Sequence, residues 1–176
     1  MECQYILAET SRLILRRYQA GDLEDLFEYL SDRETLAFEP YESMDLSETQ
    51  KELTRRISSQ EMIAAELKDS GKMIGNVYLG KRDFQALELG FVFNREYWGK
   101  GLAAEACREL VRIAFESGVH RIFAECDPLN ENSWRLLEAL GFCREGHLKQ
   151  NVYFKNDQNG NPIWKDTYIY SKLNLL

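Results

Sequence analysis

Leu87-Glu88-Leu89-Gly90-Phe91-Val92-Phe93, followed after four residues by Trp98-Gly99-Lys100-Gly101-Leu102-Ala103-Ala104, is the stretch on which the fold turns. Its first part alternates, with Leu87, Leu89, Phe91 and Phe93 on one face and Glu88, Gly90 and Val92 on the other. That period of two predicts a strand over 87–93. Its second part leads into a run with Ala106, Leu110, Ile113 and Ala114 at helical spacing, which predicts a helix from about Gly101 that ends at Gly118. A strand, a glycine turn and a helix N-terminus in this order make an anion site. The first backbone N–H groups of a helix have no intrahelical partner and carry partial positive charge. Glycine and alanine at Gly99, Gly101, Leu102-Ala103-Ala104 let a pyrophosphate approach the backbone, and Lys100 adds a charge at the rim.

Outward from this junction the chain reads as one α+β domain over 1–176. Leu13-Ile14-Leu15, flanked by Arg12, Arg16 and Arg17, predicts a first strand. Asp22 is placed to cap a helix carrying Leu23, Leu26, Phe27 and Leu30, and a more polar helix over 47–57 has Glu48 and Lys51 as an intrahelical pair. Strands over 62–67 and 73–79 are joined by the turn Asp69-Ser70-Gly71-Lys72. After the central helix come a strand over 122–126 and a short helix over 132–140 stopped by Gly141. The tail reads as a hairpin, 142–154 with 163–173, around Asn159-Gly160. Hairpin-joined strands flanking a single β-α-β unit imply a mixed, mostly antiparallel sheet flanked by helices.

Composition narrows the function. Lys and Arg number 22 against 29 Asp and Glu, a formal charge of −7, which disfavours direct binding of nucleic acid. No apolar run reaches the roughly 18 residues of a membrane span. Met1-Glu2-Cys3-Gln4-Tyr5 lacks the plan of a signal peptide, so a cytoplasmic setting is expected. Cys3, Cys107, Cys126 and Cys143 form no CxxC pair, and no histidine lies at ligand spacing, so no metal site is expected. Cys107 and Cys126 read as buried thiols. Neither His120 nor His147 lies in a nucleophile motif.

Three phosphate-binding readings compete for the glycine turn. A Walker A loop is excluded, because no Ser or Thr follows the Gly-Lys pair and the upstream glycine is missing. Gly99, Gly101 and Ala104 fit a dinucleotide fingerprint, with Glu125 roughly 20 residues further on. That fold, however, requires several β-α-β units beginning at this turn, and only one crossover follows.

The third reading rests on several motifs in one order. Phe91-Val92-Phe93 with Trp98-Gly99-Lys100-Gly101-Leu102-Ala103 resembles the acetyl-CoA motif of the GNAT acetyltransferases. Asn130-Glu131-Asn132-Ser133 with Leu136-Leu137-Glu138-Ala139-Leu140-Gly141-Phe142 resembles that family's second motif. Ser11-Arg12-Leu13-Ile14-Leu15-Arg16 and Gly21-Asp22 resemble the branch that includes the acetyltransferases of ribosomal-protein N-termini. The resemblance implies a GNAT fold with a splayed cofactor cleft, acetyl-CoA as cosubstrate and an amine as acceptor. The acceptor would be a protein N-terminal α-amine or, alternatively, a small amine, amino acid or antibiotic. A non-catalytic CoA-binding regulator is the rival from another class. Homodimers are frequent among such relatives.

By the same resemblance, the backbone of Phe91, Val92 and Phe93 pairs with the pantetheine arm, and Gly99, Lys100, Gly101, Leu102, Ala103 and Ala104 hold the pyrophosphate. Asn130, Asn132 and Ser133 contact the cofactor near the second helix, although Asn130 also suits a plain helix cap. Amine acetylation needs a base, because an amine near pKa 10 is mostly charged at neutral pH. Glu88, on the presumed cofactor strand, is the candidate, and N–H groups near Phe93 are candidates for the oxyanion. The tyrosine acid of many relatives is replaced by Leu137, which leaves Ser133 as a candidate and Tyr153, Tyr168 and Tyr170 as substitutes. Glu24, Asp25, Glu28, Asp157 and Asp166 are expected to line the acceptor's side of the cleft.

Overall fold

The computed structural model describes residues 6–175, so Cys3 and the N-terminal pentapeptide lie outside the described residues. An eight-stranded sheet runs through them in the order β1-β2-β3-β4-β5-β6-β8-β7. It begins with β1 (Ile6–Glu9) and β2 (Leu13–Arg16), followed by the helices α1 (Leu23–Leu30) and α2 (Leu46–Ser58). Three antiparallel strands come next: β3 (Met62–Leu67), β4 (Met73–Arg82) and β5 (Ala86–Phe93). The central helix α3 (Leu102–Glu116) crosses to β6 (Arg121–Cys126), which lies parallel to β5. Helix α4 (Glu131–Ala139) and the long hairpin β7 (Cys143–Asn156) and β8 (Pro162–Leu173) complete the chain. This is the α+β fold with a mixed, mostly antiparallel sheet that the hairpin pattern implies.

Both faces of the sheet are covered, which is why residues 62–65 of β3 and 73–77 of β4 are buried at every position. Ile63, Ala65, Ile74 and Val77 join Leu102, Ala106 and Leu110 of α3 in one core. Met62, Ala64 and Met73 join Leu26, Tyr29 and Leu30 of α1 and Leu53 of α2 in the other. Alternation along β5 divides as expected, Leu89 and Phe93 going to the first core and Val92 to the second.

Local chemistry departs from expectation in several places. Asp22 stands at the N-cap of α1 but makes no cap bond. Its carboxylate instead accepts from Arg16 at 2.9 and 2.7 Å, a buried ion pair that joins β2 to the start of α1. Glu48 closes a capping box with Asp45 at the start of α2, accepting from the Asp45 N–H at 2.9 Å, rather than serving Lys51. On α3 the inner stripe is Ala106, Cys107, Leu110, Val111 and Ala114, with Ile113 only half-buried. Strand β1 is additional to the predicted elements.

Helix stops follow the glycines. At the end of α4 the Gly141 N–H donates to the Glu138 carbonyl at 2.9 Å and the Phe142 N–H to the Leu137 carbonyl at 3.0 Å. Gly141 has φ +80°, and Phe142 packs into the core with Leu137, so the motif both ends the helix and fixes Leu137 inside. At the hairpin tip Asp157 accepts from the N–H groups of Asn159 and Asn161 at 2.8 and 2.9 Å.

Candidate active site

Strands β5 and β6 pair only at Ala86–Arg121, Leu87–Ile122 and Glu88–Phe123, and then part. On its other side β6 stays paired with β8 from Arg121 through Cys126, and β5 stays paired with β4 from Ala86 through Phe93. The gap therefore opens inside the sheet, beyond Glu88, and leaves one edge of Leu89–Phe93 without a strand partner. A cavity of about 1300 Å³ occupies it. That exceeds the several hundred Å³ of an ordinary small-molecule site and suits a long cofactor together with a second reactant.

Phe91, Val92 and Phe93 form the β5 wall of this cavity. The Phe93 carbonyl accepts from the Trp98 indole at 2.7 Å, so Trp98 closes the strand's end before the chain turns through the short helical segment Arg95–Tyr97. Gly99, Gly101, Leu102, Ala103 and Ala104 line the next part. Gly99 and Gly101 have φ of +72° and +75°, a conformation that aims successive N–H groups toward one side and that other residues adopt only with strain. Gly101 is the N-cap of α3, with no side chain satisfying the helix's first N–H groups. An anion is their natural partner. Lys100 is the exception among the predicted residues: its ammonium lies over the Tyr97 ring at 4.9 Å, off the cavity wall.

The turn is braced from behind. Glu105, in the first turn of α3, accepts from Thr10 Oγ1 at 2.6 Å, Ser11 Oγ at 3.0 Å, and the Arg12 N–H and Nε at 2.9 and 2.7 Å. Arg12 also donates to the Lys100 carbonyl at 2.9 Å. Burial alone would raise the Glu105 carboxyl, but these donors outweigh it and hold the group down to about 2. The β1–β2 turn thus anchors the glycine turn through one carboxylate. This contact joins segments far apart in sequence and carries no motif by which sequence reading finds it.

Asn130, Asn132 and Ser133 reach the cavity from the N-terminus of α4. Asn130 also caps that helix, accepting from the Ser133 N–H at 3.2 Å. The Ser133 hydroxyl lies against the Cys126 thiol, which burial pushes up to about 11 against the opposing pull of that hydroxyl. Leu137 is fully buried. Tyr170 is also buried and donates to Glu138 at 2.8 Å, Tyr168 lies under Arg144, and Tyr153 packs against Trp164. These three tyrosines are sheet residues away from the cavity. The tyrosines that line it are Tyr41, Tyr78 and Tyr97.

Glu88 lines the cavity at the point where the strands part, and is also ion-paired with Arg82, which in turn donates to Tyr78. Tyr78 lies over β4 where Gly80 leaves room: a Cβ on Gly80 would stand 2.0 Å from the Tyr78 hydroxyl. The expected acidic wall is placed differently. Of Glu24, Asp25, Glu28, Asp157 and Asp166, only Asp166 lines the cavity. Asp25 accepts from the Met73 N–H and Glu28 pairs with Lys72, because α1 packs on β4 instead of opening toward the cleft. The acidic groups present are Glu39, Glu52, Glu88, Glu125 and Asp127, together with Asp166. Among the described residues no group of three or more His, Cys, Asp or Glu is arranged to hold a metal ion, and no helix is long and apolar enough to cross a membrane.

A parted sheet, an uncapped helix start and a glycine turn are the setting for acetyl-CoA, and residues 12–143 match the family described as Acetyltransferase (GNAT) domain. The chain belongs to the GNAT acetyltransferase family. It is 32% identical over 171 residues to the uncharacterized N-acetyltransferase YnaD of Bacillus subtilis, covering 93% of this chain and 95% of that one. A GNAT-family acetyltransferase from Bacillus anthracis superposes with a TM-score of 0.85 at 30% identity, covering 97% of this chain and 98% of the other. Ribosomal-protein-S5-alanine acetyltransferase from Vibrio fischeri superposes with a TM-score of 0.78 at 27% identity, with 96% of each chain covered. This GNAT protein is accordingly an N-acetyltransferase with acetyl-CoA as cosubstrate, and the cavity's open strand edge and free helix N-terminus fit that cosubstrate.

Proposed function

We propose that this GNAT enzyme acetylates the α-amine of a peptide or protein N-terminus by direct transfer. The observation that carries the reading is Glu88, which stands in the cavity where β5 and β6 part while held by Arg82. A carboxylate at this point is placed to accept the proton of an incoming amine. An α-amine, near pKa 8, needs a much weaker base than a lysine or polyamine amine near 10.4, since its neutral fraction at pH 7 is larger by roughly two orders of magnitude. The likeness to a ribosomal-protein acetyltransferase over nearly the whole chain supports the same acceptor class.

Acetyl-CoA supplies a thioester whose acyl carbon accepts a nucleophile. The chain's own groups do the rest. Phe91, Val92 and Phe93 would align the pantetheine arm, and Gly99, Gly101, Leu102, Ala103 and Ala104, with Lys100 at the rim, would hold the pyrophosphate. Asn130, Asn132 and Ser133 would fix the cofactor's position at α4. As the amine nitrogen bonds to the acyl carbon and the carbon–sulfur bond breaks, Glu88 takes the nitrogen's proton, directly or through water. The departing thiolate takes a proton from solvent or from Ser133; thiols near pKa 8.5 leave without a strong acid. We place the enzyme in the cytoplasm, with no direct role for nucleic acid, and expect a homodimer as its working form.

An acceptor screen tests the reading. The protein is incubated with acetyl-CoA and N-terminal peptides of ribosomal proteins, polyamines, aminoglycosides or free amino acids, and products are identified by mass spectrometry. Acetyl on a peptide α-amine is the expected result. Acetyl on small amines alone refutes the acceptor class, and tight acetyl-CoA binding with no acetylated amine identifies a binding protein instead.

A further inference from the structure

The cavity extends past Glu88 to a second end that the cofactor motifs do not account for. Its wall there is the connection between α1 and α2, with Phe38, Glu39 and Tyr41 facing Val152 and Phe154 of β7. Two contacts hold this connection against the hairpin: Lys155 pairs with Glu42 at 3.1 Å, and the Lys165 ammonium lies over the Phe38 ring at 5.6 Å. Behind it, Arg56 is buried and fully engaged. It donates to Tyr18, Tyr29 and Asn76 at 2.9, 3.0 and 2.8 Å and to Glu52 at 2.7 Å. The wall is therefore a built surface on a fixed support.

Glu39 is the charged group on that wall without a salt-bridge partner: the Tyr41 hydroxyl bonds its carboxylate and the Arg56 guanidinium lies close enough to act on it. It is half-buried, and among the described residues no basic side chain forms an ion pair with it. Its neighbours are all accounted for. On its own connection is Tyr41; on α2, Glu52 is shared by Arg55 and Arg56; and on β4 is Tyr78, which accepts from Arg82. Across the cavity, Glu88 is held by Arg82, Lys165 by Asp127 at 2.7 Å, and Asp166 by Lys149 at 2.9 Å. A carboxylate in a cavity, walled by aromatic and aliphatic side chains and lacking a cation of its own, is a receptor for a small cation.

We propose that Glu39 is the acceptor-binding residue: it receives the acceptor's ammonium group between Phe38 and Tyr41 before transfer. The assignment rests on the reading of this cavity as the active site of an amine acetyltransferase. It makes Glu39 a determinant of which amine binds, separate from Glu88, which acts on the bound amine.

Proton affinity supports this geometry. Burial pushes the Glu39 carboxyl up to about 7, with the Tyr41 hydroxyl and the Arg56 guanidinium only partly offsetting it. A carboxylate so close in proton affinity to an α-amine holds the ammonium without locking its proton in place. It also loses its charge as pH falls below 7, so amine binding weakens toward acid.

The test measures binding and turnover on the same variant. CoA-loaded protein is titrated calorimetrically with a tetrapeptide bearing a free N-terminal alanine amine, and with the N-acetylated tetrapeptide as control. The wild type should bind the free-amine peptide about 20-fold more weakly at pH 5.5 than at pH 7.5. Glu39→Gln should bind it at least about tenfold more weakly than wild type at pH 7.5, and show little pH dependence. CoA affinity should be unchanged, and the melting temperature of the variant at pH 8 should be equal or higher, because a partly desolvated carboxylate without a salt-bridge partner has been removed. With acetyl-CoA, KM for the peptide should rise while kcat stays within about threefold. Equal peptide affinity and equal pH dependence in the two proteins overturn the assignment, as does failure of the wild type to bind the free-amine peptide. Glu39-dependent binding of a peptide that is never acetylated would sink the transferase reading and leave the subsite. Acetylation with a KM indifferent to Glu39→Gln would do the reverse.

Discussion

Glu88 is a residue whose meaning depends on where two strands part. Had β5 and β6 stayed paired to their ends, it would be a surface glutamate tied to Arg82. Because pairing stops at Glu88–Phe123, its carboxylate borders the cavity. If it takes the amine's proton, Glu88→Gln should lower kcat by about 10² or more while acetyl-CoA affinity, measured by calorimetry, changes little. An unchanged kcat would return Glu88 to a purely structural pairing. The proposed cofactor residues that line the cavity were legible in the sequence for a physical reason: glycine turns and helix starts are local, so Gly99, Gly101 and Asn130 announce themselves within a few residues. Glu39 was not legible. Its environment comes from β7, α2 and β4, and nothing within its own segment distinguishes it from the chain's other glutamates. The acidic wall assigned to α1 failed likewise, because Asp25 and Glu28 find partners on Met73 and Lys72 only once α1 packs on β4.

Among the elements, α3 is the one whose placement the site depends on, and the periodicity of its apolar residues revealed it. The sequence could not reveal what orients its first turn. Glu105 collects donors from Thr10, Ser11 and Arg12, and Arg12 continues to the Lys100 carbonyl, so β1 and β2 hold the glycine turn in its φ-positive shape. Strand β1 itself was illegible, because Ile6–Glu9 is a short, mostly exposed strand at the sheet's edge with no buried face to impose alternation. The Glu105 carboxyl is held down to about 2 against an ordinary 4.5, burial opposing and the donors prevailing. The folded state therefore gains from its ionised form at neutral pH, and that gain fades as pH falls from about 4.5 to about 2. Glu105→Gln should cost as much as about 3 kcal/mol at pH 7 and progressively less below pH 4. Urea denaturation of both proteins at pH 7 and pH 3 measures the difference. It should also weaken acetyl-CoA binding, since the turn loses its brace. A cost that is the same at both pH values would mean that shape, rather than charge, is what Glu105 contributes.

At the scale of the molecule, the sheet is one layer with a seam. On one side lie β1 to β5 with α1, α2 and α3; on the other lie β6, β7 and β8 with α4. Across the seam the ladder holds at only three residue pairs, and the side chains of α3, α4 and the buried Tyr170 complete the join. On the proposed reading, acetyl-CoA would seat in that seam and touch both sides: the β5 edge and the α3 turn on one, the α4 cap on the other. A ligand that binds the folded chain alone adds RT ln(1 + [L]/Kd) to its stability, about 2.7 kcal/mol at a hundredfold excess over Kd. For a chain of 176 residues that corresponds to a rise in melting temperature of about 5 to 10 °C. Calorimetric scans with and without acetyl-CoA at that excess should show the rise in a single transition if the cosubstrate bridges both sides of the seam. NAD, whose adenosine diphosphate portion could engage a helix N-terminus but whose nicotinamide end has no partner along an open strand edge, should give no shift. A shift with NAD and none with acetyl-CoA would refute the cosubstrate assignment. Two transitions, with only one moving, would show that acetyl-CoA contacts one side of the seam and that α4 takes no part in holding it.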